Sequence, residues 1–474
     1  MQYPGKRIKS NPMKTGKYYL LLLANFLSLI LQAQEGYQVN FQIKGLKDTT
    51  CMIANYYGNG TYIKDTLRTD ASGRCVFKAG ADLPKGIYIL VINDKNYFDF
   101  IINIDKKFSV STDRDHSIDK MSFNSSPENK LFYEYLRYNK QGFDIIQSLQ
   151  NRIKEFPEQN DSIEAINARI KAMNKEIIKY KLDLVKKHPA SFLAFLINAM
   201  KEPEISNDSN FSYQSYKAHF WDGTDFRDDR LLRTPVFHNK LKKYFDQVLI
   251  QQPDTIIREI DSIIFKARPN QEMFKYLIWF FTYHYENSEI MGFDKIFVSI
   301  VDEYYTKGEV TWLNNTILEN IVKKANRLRP ILIGRLAPNM IMQDTSNHLV
   351  SMVNVKAKYL MLLFWDPDCG HCEQEIPKLR KIYDEHKEMY GLEIFAVCSD
   401  TSLVKWKNAI RKKNMNWINV NGPRTLTGDY HEQYDIISTP VIYILNERKE
   451  IIAKRLSADQ VLPFLENYIT IPKK

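Results

Sequence analysis

The sequence predicts a multidomain protein in which a β-sandwich is followed by a mainly α-helical domain and then by an α/β domain. Its 474 residues exceed what one hydrophobic core usually supports. Three hydrophobic patterns follow one another: alternation typical of strands, a three-and-four repeat typical of helices, and buried strands alternating with helices. We therefore predict a signal peptide over residues 1–33, a β-sandwich over 34–115, a helical domain over 116–330 and an α/β domain over 331–474.

The N-terminus has the pattern of a secretory signal peptide. Lys14 and Lys17 precede an apolar stretch of fourteen residues, Tyr18–Leu31, and the small residue Ala33 follows it. This stretch is shorter than the roughly 20 residues that a membrane-spanning helix needs, so a cleaved signal is favoured over an uncleaved anchor. We expect export to the periplasm or the cell envelope.

The charge distribution argues against nucleic-acid binding. The formal net charge is +10, but residues 1–33 contain five lysines or arginines and no acid, so the remainder carries only +5. No basic block remains that is typical of a nucleic-acid-binding face.

Residues 34–115 are predicted to form a small antiparallel β-sandwich. Val39, Phe41 and Ile43 alternate with polar residues, and glycines separate short strand-like runs throughout the segment. No catalytic pattern occurs there.

Helical patterns occupy the middle of the chain. Ser126-Pro127-Glu128 is a typical helix start, because a capping residue precedes a first-turn proline. Apolar residues then recur at steps of three and four: Ile163, Ile166, Ile170, Met173, Ile177, Tyr180 and Leu184. The repeat predicts a helix that packs against residues 127–156 as a hairpin, with a turn at Phe156-Pro157. Packing within the domain is favoured over a dedicated oligomerisation coil.

From residue 331 onward, predicted strands and helices alternate. The strands are Met340–Met342, His348–Met352, Tyr359–Trp365, Leu392–Cys398, Val441–Leu445 and Glu450–Arg455, and the helices are Cys369–Tyr390, Leu403–Lys413 and Ala458–Tyr468. This order predicts a mixed sheet covered by helices on both faces.

The five cysteines are interpreted in the light of export to an oxidising compartment. Cys369 and Cys372 form a local pair. Cys51 and Cys75 lie in neighbouring strand-like segments, where a disulfide and two separate buried thiols fit the sequence equally well. Cys398 ends a predicted buried strand and is expected to be a core thiol.

The pair Cys369-Gly370-His371-Cys372 carries the strongest chemical signal. It directly follows the buried run Tyr359–Trp365 and opens a predicted helix. The helix N-terminus offers unpaired backbone N–H groups and the positive end of the helix dipole to Cys369, and both favour the thiolate. His371 adds positive charge or a hydrogen bond, and Cys372 lies one turn deeper as a resolving thiol. The arrangement suits dithiol–disulfide exchange.

This strand–CGHC–helix arrangement, with Pro377 after it and Ser438-Thr439-Pro440 before a later strand, resembles the thioredoxin superfamily. The wider frame, with Gly334–Pro338, Phe364-Trp365 and Glu375-Ile376-Pro377, is similar to exported TlpA-like (ResA-like) thiol–disulfide oxidoreductases. The resemblance covers residues 331–474 and implies a thioredoxin fold. The upstream part resembles β-sandwich and helical domains of unassigned function that precede such modules.

The resemblance also implies roles for individual residues. Cys369 is the attacking nucleophile, Cys372 the resolving thiol, and Pro440 the cis-proline that faces the disulfide. Thr439 and Trp365 are expected to contribute to substrate binding.

Glu375 matches a family acid near the active site, which implies proton transfer at the resolving thiol. An ordinary glutamate on a helix surface is an equally good interpretation.

Two positions depart from the family pattern. Leu363 stands six residues before the first cysteine, where thioredoxins and disulfide isomerases place a buried acid. Asp368 directly precedes the first cysteine, where an aromatic residue is usual. Because a carboxylate near the thiolate opposes the effect of His371, the direction as reductase, oxidase or isomerase stays open.

Other interpretations of the cysteine pair fit less well. A zinc site needs three or four ligands, and no second ligand pair stands nearby in the sequence. A haem attachment site requires histidine at Glu373, and a peroxiredoxin requires threonine or serine at Asp366. A non-catalytic binding or scaffold protein with a thioredoxin-like module is the main alternative, but the presence of both cysteines favours catalysis.

We therefore predict a thiol–disulfide oxidoreductase of the cell envelope that requires no organic cofactor and no metal. Its expected partners are protein disulfide substrates and a thiol or disulfide redox partner, but not nucleic acid. The upstream domains suit client selection, spacing of the active site or formation of a homodimer, with client selection favoured over dimerisation.

Overall fold

The computed structural model describes residues 36–93, 96–115, 118–155, 160–203 and 212–470. The predicted signal peptide and the predicted turn at Phe156-Pro157 lie outside the described residues. Among the described helices, none combines the length and the apolar character needed to cross a bilayer. The chain divides into two compact units, residues 1–243 and residues 244–474.

Alternating apolar residues build the β-sandwich of the first unit. In β1 (Tyr37–Lys44), the side chains of Tyr37, Val39, Phe41 and Ile43 are buried, while the residues between them are more exposed. A strand that buries one face against a second sheet requires this period of two. The alternation predicted from the sequence is confirmed.

Eight strands form two four-stranded sheets with the orders β4-β1-β7-β8 and β3-β2-β5-β6. The other strands are β2 (Thr50–Tyr57), β3 (Gly60–Arg68), β4 (Arg74–Ala79), β5 (Gly86–Asn93), β6 (Asn96–Ile102), β7 (Lys107–Asp113) and β8 (Ser122–Asn124). The sandwich differs from the predicted antiparallel form at one place, because β1 pairs in parallel with β7. The long connection between these two strands, through the second sheet, permits this pairing.

Five helices follow in the first unit: α1 (Pro127–Glu155), α2 (Asn160–Lys187), α3 (Phe192–Met200), α4 (Tyr213–His219) and α5 (Pro235–Lys243). The side-chain oxygen of Asn129 in α1 accepts a hydrogen bond from the backbone N–H of Ile101, and its amide donates to the Ile101 carbonyl. Phe132, Phe192 and Leu193 belong to the same apolar cluster as the sandwich. The first helices thus share a core with the sandwich, and the predicted three-domain boundaries stay a prediction.

Cys51 and Cys75 lie on opposite sheets of the sandwich, in β2 and β4. Both side chains are buried, and their sulfur atoms are 3.9 Å apart and unbridged. A disulfide requires an S–S distance of about 2.05 Å, so side-chain movements of about 2 Å in total would allow the bond.

We expect glutathione disulfide to link Cys51 to Cys75 in the full-length protein, because their sulfur atoms already face each other. The two thiols would become one disulfide while the oxidant becomes two molecules of glutathione. Peptide mapping by mass spectrometry without reduction would detect the linked pair. Recovery of both cysteines as separately alkylated residues after oxidation would contradict this expectation.

The second unit begins with four helices: α6 (Pro253–Ala267), α7 (Gln271–Glu286), α8 (Asp294–Ile300) and α9 (Asn315–Leu328). The helical pattern predicted up to residue 330 is confirmed here. Phe280 and Phe281 of α7 are buried, whereas Trp279 and Tyr283 are largely exposed and stack on each other.

A seven-stranded mixed sheet completes the second unit, with the order β10-β9-β13-β12-β11-β14-β15. The strands are β9 (Ile341–Asp344), β10 (Leu349–Ser351), β11 (Tyr359–Trp365), β12 (Leu392–Cys398), β13 (Ile418–Thr425), β14 (Val441–Asn446) and β15 (Ile451–Lys454). The helices are α10 (Gly370–Tyr390), α11 (Leu403–Lys412), α12 (Tyr430–Tyr434) and α13 (Ala458–Thr470). Every residue of β11 is buried, and this strand pairs in parallel with β12 and antiparallel with β14. The predicted mixed sheet is confirmed.

Candidate active site

The cysteine pair lies where the central strand of the sheet ends and a helix begins. After β11, a carboxylate oxygen of Asp366 accepts a hydrogen bond from the backbone N–H of Asp368, which tightens the turn. Cys369 is the N-cap residue of α10. A sulfur at this position faces the unpaired N–H groups of the first helical turn.

Two contacts fix the sulfur of Cys369. It accepts a hydrogen bond from the backbone N–H of Cys372 at 3.2 Å, and its S–H donates to the carbonyl oxygen of Thr439 at 3.1 Å. The peptide bond between Thr439 and Pro440 is cis. The structure thus brings Cys369, Cys372, Thr439 and Pro440 together, although 70 residues separate Cys369 from Thr439.

The two thiols differ sharply in environment. Burial by itself would raise the pKa of Cys369, but hydrogen bonds from the Cys372 thiol and from the backbone N–H groups of Cys372 and His371 outweigh it, so the pKa is lowered. Burial, followed by the contact with the Cys369 sulfur, raises the pKa of Cys372 to about 12. Cys369 is half-buried and Cys372 is fully buried. The arrangement provides one reactive, reachable sulfur and one protected sulfur.

Two other predicted site residues take different positions. The side chain of His371 is exposed on the first turn of α10. Trp365 is fully buried among the core residues beneath the pair. The predicted role of Trp365 in substrate binding does not fit this position, because a side chain without exposed surface cannot touch a bound client.

Glu375 connects two helices. One of its carboxylate oxygens accepts a hydrogen bond from the backbone N–H of Ala458 at the start of α13, at 2.5 Å. The other oxygen lies 3.2 Å from the ammonium group of Lys378. These contacts stabilise the N-terminus of α13, and the predicted part of Glu375 in proton transfer stays a prediction.

Replacing Glu375 by glutamine should loosen α13, because the helix loses a charge-assisted hydrogen bond at its N-terminus. We expect a cost of about 1 kcal/mol for local opening, or roughly fivefold faster hydrogen exchange at the α13 amides. Glu373→Gln is the matched control, since Glu373 is exposed and pairs only loosely with Lys413 at 3.6 Å. Equal acceleration in both variants would contradict the capping role.

A cleft of about 350 Å³ opens beside the Cys369 sulfur. Its lining includes Asp366, Asp368, Ser399, His431, Ile436, Ile437, Ser438 and Thr439. Ile436 and Ile437 were missed from the sequence, although their position directly before Ser438-Thr439-Pro440 would have indicated them. Ser399 and His431 carry no local signal, because only the fold brings them to the cleft.

Three carboxylates at the rim of the cleft come close enough to hold a metal ion. The carboxylate oxygens of Asp366, Asp368 and Asp400 lie within 4.8 Å of one another. The ammonium group of Lys405, however, pairs with Asp368 and lies 3.1 Å from Asp400. Because this cation already compensates the cluster, we do not assign a metal site here.

The mixed sheet with its helices and the paired thiols define a C-terminal thioredoxin-like domain with a dithiol site. Residues 333–454 match the AhpC/TSA family. Two upstream segments match domains of unknown function, residues 37–132 matching DUF4369 and residues 185–327 matching DUF5106.

The chain is similar to several individual proteins. The chain is 26% identical over 139 residues to the thiol-disulfide oxidoreductase ResA of Bacillus thuringiensis subsp. konkukian, a match that covers 29% of this chain and 76% of the relative. It is 25% identical over 142 residues to ResA of Bacillus subtilis, a match that covers 30% of this chain and 75% of that relative. A solved domain of a possible thiol-disulfide isomerase from Cytophaga hutchinsonii is 38% identical, covering 30% of this chain and 95% of that domain, with a TM-score of 0.28.

The predicted resemblance is thereby confirmed. The C-terminal domain is a thioredoxin-like domain of the ResA-like thiol–disulfide oxidoreductase type, and the domains that precede it have no assigned function.

Proposed function

We propose that the protein is a thiol–disulfide oxidoreductase of the cell envelope that exchanges disulfides with protein substrates through Cys369 and Cys372. The observation that carries the proposal is the environment of the two sulfurs. The half-exposed sulfur of Cys369 has a lowered pKa at a helix N-terminus, and the buried thiol of Cys372 lies one turn behind it. The predicted signal peptide supports the location.

The reaction begins with the Cys369 thiolate. It attacks one sulfur of a substrate disulfide, a mixed disulfide forms, and the other substrate sulfur leaves as a thiolate that takes up a proton. Cys372 then loses its proton and attacks the Cys369 sulfur. The Cys369–Cys372 disulfide forms, the second substrate thiol leaves, and the substrate has gained two electrons and two protons. A dithiol redox partner restores the pair.

Release of the Cys372 proton is the demanding step, because burial and the neighbouring Cys369 sulfur both raise its pKa. Once Cys369 is in the mixed disulfide, its negative charge is gone and only burial opposes ionisation. The departing substrate thiolate is a base that the reaction itself supplies at the pair. Both oxygens of Glu375 are already engaged, which favours the thiolate or water over Glu375 as the proton acceptor.

The loop before Pro440 supplies the binding edge for the substrate. Ile437 and Ser438 are exposed, and the backbone of this loop lies against the Cys369 sulfur through Thr439. An extended substrate segment that pairs with this backbone places its disulfide at the nucleophile, as in other strand-addition complexes. Such binding depends on pairing with the substrate backbone and not on particular substrate side chains, so many client sequences can bind.

The test is reduction of insulin disulfides by the purified full-length protein with dithiothreitol as electron source. We expect faster precipitation of the insulin B chain than with dithiothreitol alone. An unchanged rate would refute catalysis and favour the scaffold alternative. Titration of the Cys369–Cys372 pair against glutathione would then give its reduction potential. A low reduction potential is typical of a reductase, and a high one of an oxidase or isomerase.

A further inference from the structure

Asp435 is a buried anchor at the start of the loop that reaches the active site. It directly follows α12 and adopts a left-handed backbone conformation, with φ 53° and ψ 49°. Its side chain is only 4% exposed. Four residues later, the Thr439 carbonyl receives the hydrogen bond of the Cys369 thiol. Between them, Ile436 is buried, whereas Ile437 and Ser438 are exposed.

Two arginines from different elements compensate the Asp435 carboxylate. Arg455, which follows β15, places a guanidinium nitrogen 2.5 Å from one oxygen. Arg327 of α9 places its Nε 2.8 Å from the other oxygen, as a close ion pair without hydrogen-bond alignment. Arg327 also lies 3.5 Å from Glu432 in α12. One of the two cations that hold this loop thus comes from the helical segment ahead of the thioredoxin-like domain.

A second ionic contact joins the same two parts of the chain. The ammonium group of Lys454, at the end of β15, pairs with Asp294 at the start of α8 and donates a hydrogen bond to the carbonyl of Ile331 at 2.8 Å. The side chains of Lys454 and Asp294 are 5% and 17% exposed, so this contact is buried. This contact lies on β15, which pairs with β14, the strand that starts directly after Pro440.

We propose that Arg327 is a positioning residue for the active site: by fixing Asp435 it sets the place of the loop that presents Thr439 and Pro440 to Cys369. This inference rests on the proposed function. Removing one of two cations leaves a buried carboxylate partly uncompensated, and the loop relaxes toward solvent where the charge is hydrated. Substrate pairing depends directly on the position of this backbone, whereas the Cys369 sulfur is also held by the backbone N–H of Cys372 at the start of α10.

The proposal gives the helical segment that contains α8 and α9 a defined task. This helical segment is a structural part of the substrate-binding edge, in addition to any other role of the domain. A thioredoxin-like domain that begins after α9 would keep both cysteines and lose this support.

The test uses the full-length protein with Arg327→Met and a peptide disulfide as substrate. We expect KM to rise about tenfold while kcat changes little, since the loop binds substrate and the cysteines carry the chemistry. Arg327→Lys, which retains the charge but not the planar fork, should lie between wild type and Arg327→Met. The matched control is Arg329→Met, because Arg329 pairs with Asp302 inside the helical segment.

A double-mutant cycle decides whether Arg327 acts through Asp435. Asp435→Asn alone should raise KM, and Arg327→Met added to it should cause little further change. Additive effects, an unchanged KM in folded Arg327→Met, or the same change in Arg329→Met would each overturn the proposal. If the wild-type protein does not reduce insulin, the proposed function is refuted. If the wild-type protein is active and Arg327→Met has the same KM as wild type, only this inference is refuted.

Discussion

Replacing Cys369 by serine is expected to abolish disulfide reduction, with a loss of at least about 10³-fold in rate. A serine hydroxyl is not ionised near neutral pH and does not exchange with disulfides. The remaining thiol, Cys372, does not substitute for it, because it is fully buried and its pKa is raised to about 12. The measurement is the insulin assay with dithiothreitol, corrected for the rate of dithiothreitol alone.

Replacing Cys372 by serine separates the role of the nucleophile from that of the resolving thiol. Cys372→Ser keeps the nucleophile but lacks the resolving thiol, so mixed disulfides between Cys369 and client proteins should accumulate and disappear on reduction. Cys398→Ala is the matched control, since Cys398 is also buried and has a raised pKa but lies in β12 outside the pair. Wild-type turnover in Cys369→Ser would contradict the proposed mechanism. Trapping by Cys369→Ser instead of Cys372→Ser would reverse the assignment.

The sequence alone predicted the core of this site because its signals are local. A fully apolar run, a Cys-x-x-Cys spacing and a helix pattern stand next to one another, so the placement of Cys369 at a helix start followed directly. The contribution of Thr439 and Pro440 came from family resemblance. Only the fold brings their backbone within hydrogen-bond distance of the Cys369 sulfur.

Residues whose role depends on distant partners were harder to place. Glu375 has the right spacing from Cys372 to share its surroundings, but the backbone N–H that it binds belongs to Ala458, 83 residues away. Trp365 ends a strand beside the site, and the side-chain alternation of a strand decides whether such a residue points toward the cleft or into the core. It points into the core.

Strand β13 was not predicted from the sequence. Its sequence, from Ile418 to Thr425, contains two asparagines, a glycine and a proline, so it lacks the apolar pattern of a buried strand. The fold compensates for this. Asn419 donates to the carbonyls of Met415 and Trp417, and Asn421 donates to the carbonyl of Asp400. Buried asparagines whose amide groups donate in this way pass unnoticed in a search for hydrophobic periodicity.

The pH dependence of alkylation measures the reactivity of Cys369 and of Cys372 separately. Only the thiolate reacts with iodoacetamide, so the rate rises with pH and levels off above the pKa. For Cys369 the midpoint of this rise should lie below that of an ordinary cysteine thiol, because the hydrogen bonds at the helix N-terminus outweigh burial and lower its pKa. For Cys372, with a pKa of about 12, the rate should still be rising at pH 9.

The expected selectivity follows from the ionised fractions. At pH 8, a thiol with a pKa of about 12 is roughly 10⁻⁴ ionised, whereas the lowered pKa of Cys369 leaves a far larger fraction of this thiol ionised. The greater nucleophilicity of the more basic thiolate offsets only part of this difference, because nucleophilicity rises less steeply than basicity, so Cys369 should react much faster even before the burial of Cys372 is counted. Mass spectrometry of quenched samples gives both rates site by site, and unfolding in denaturant should make them equal. Equal rates in the folded, reduced protein, or a midpoint for Cys369 at or above that of an ordinary cysteine thiol, would show that the helix N-terminus does not activate this sulfur.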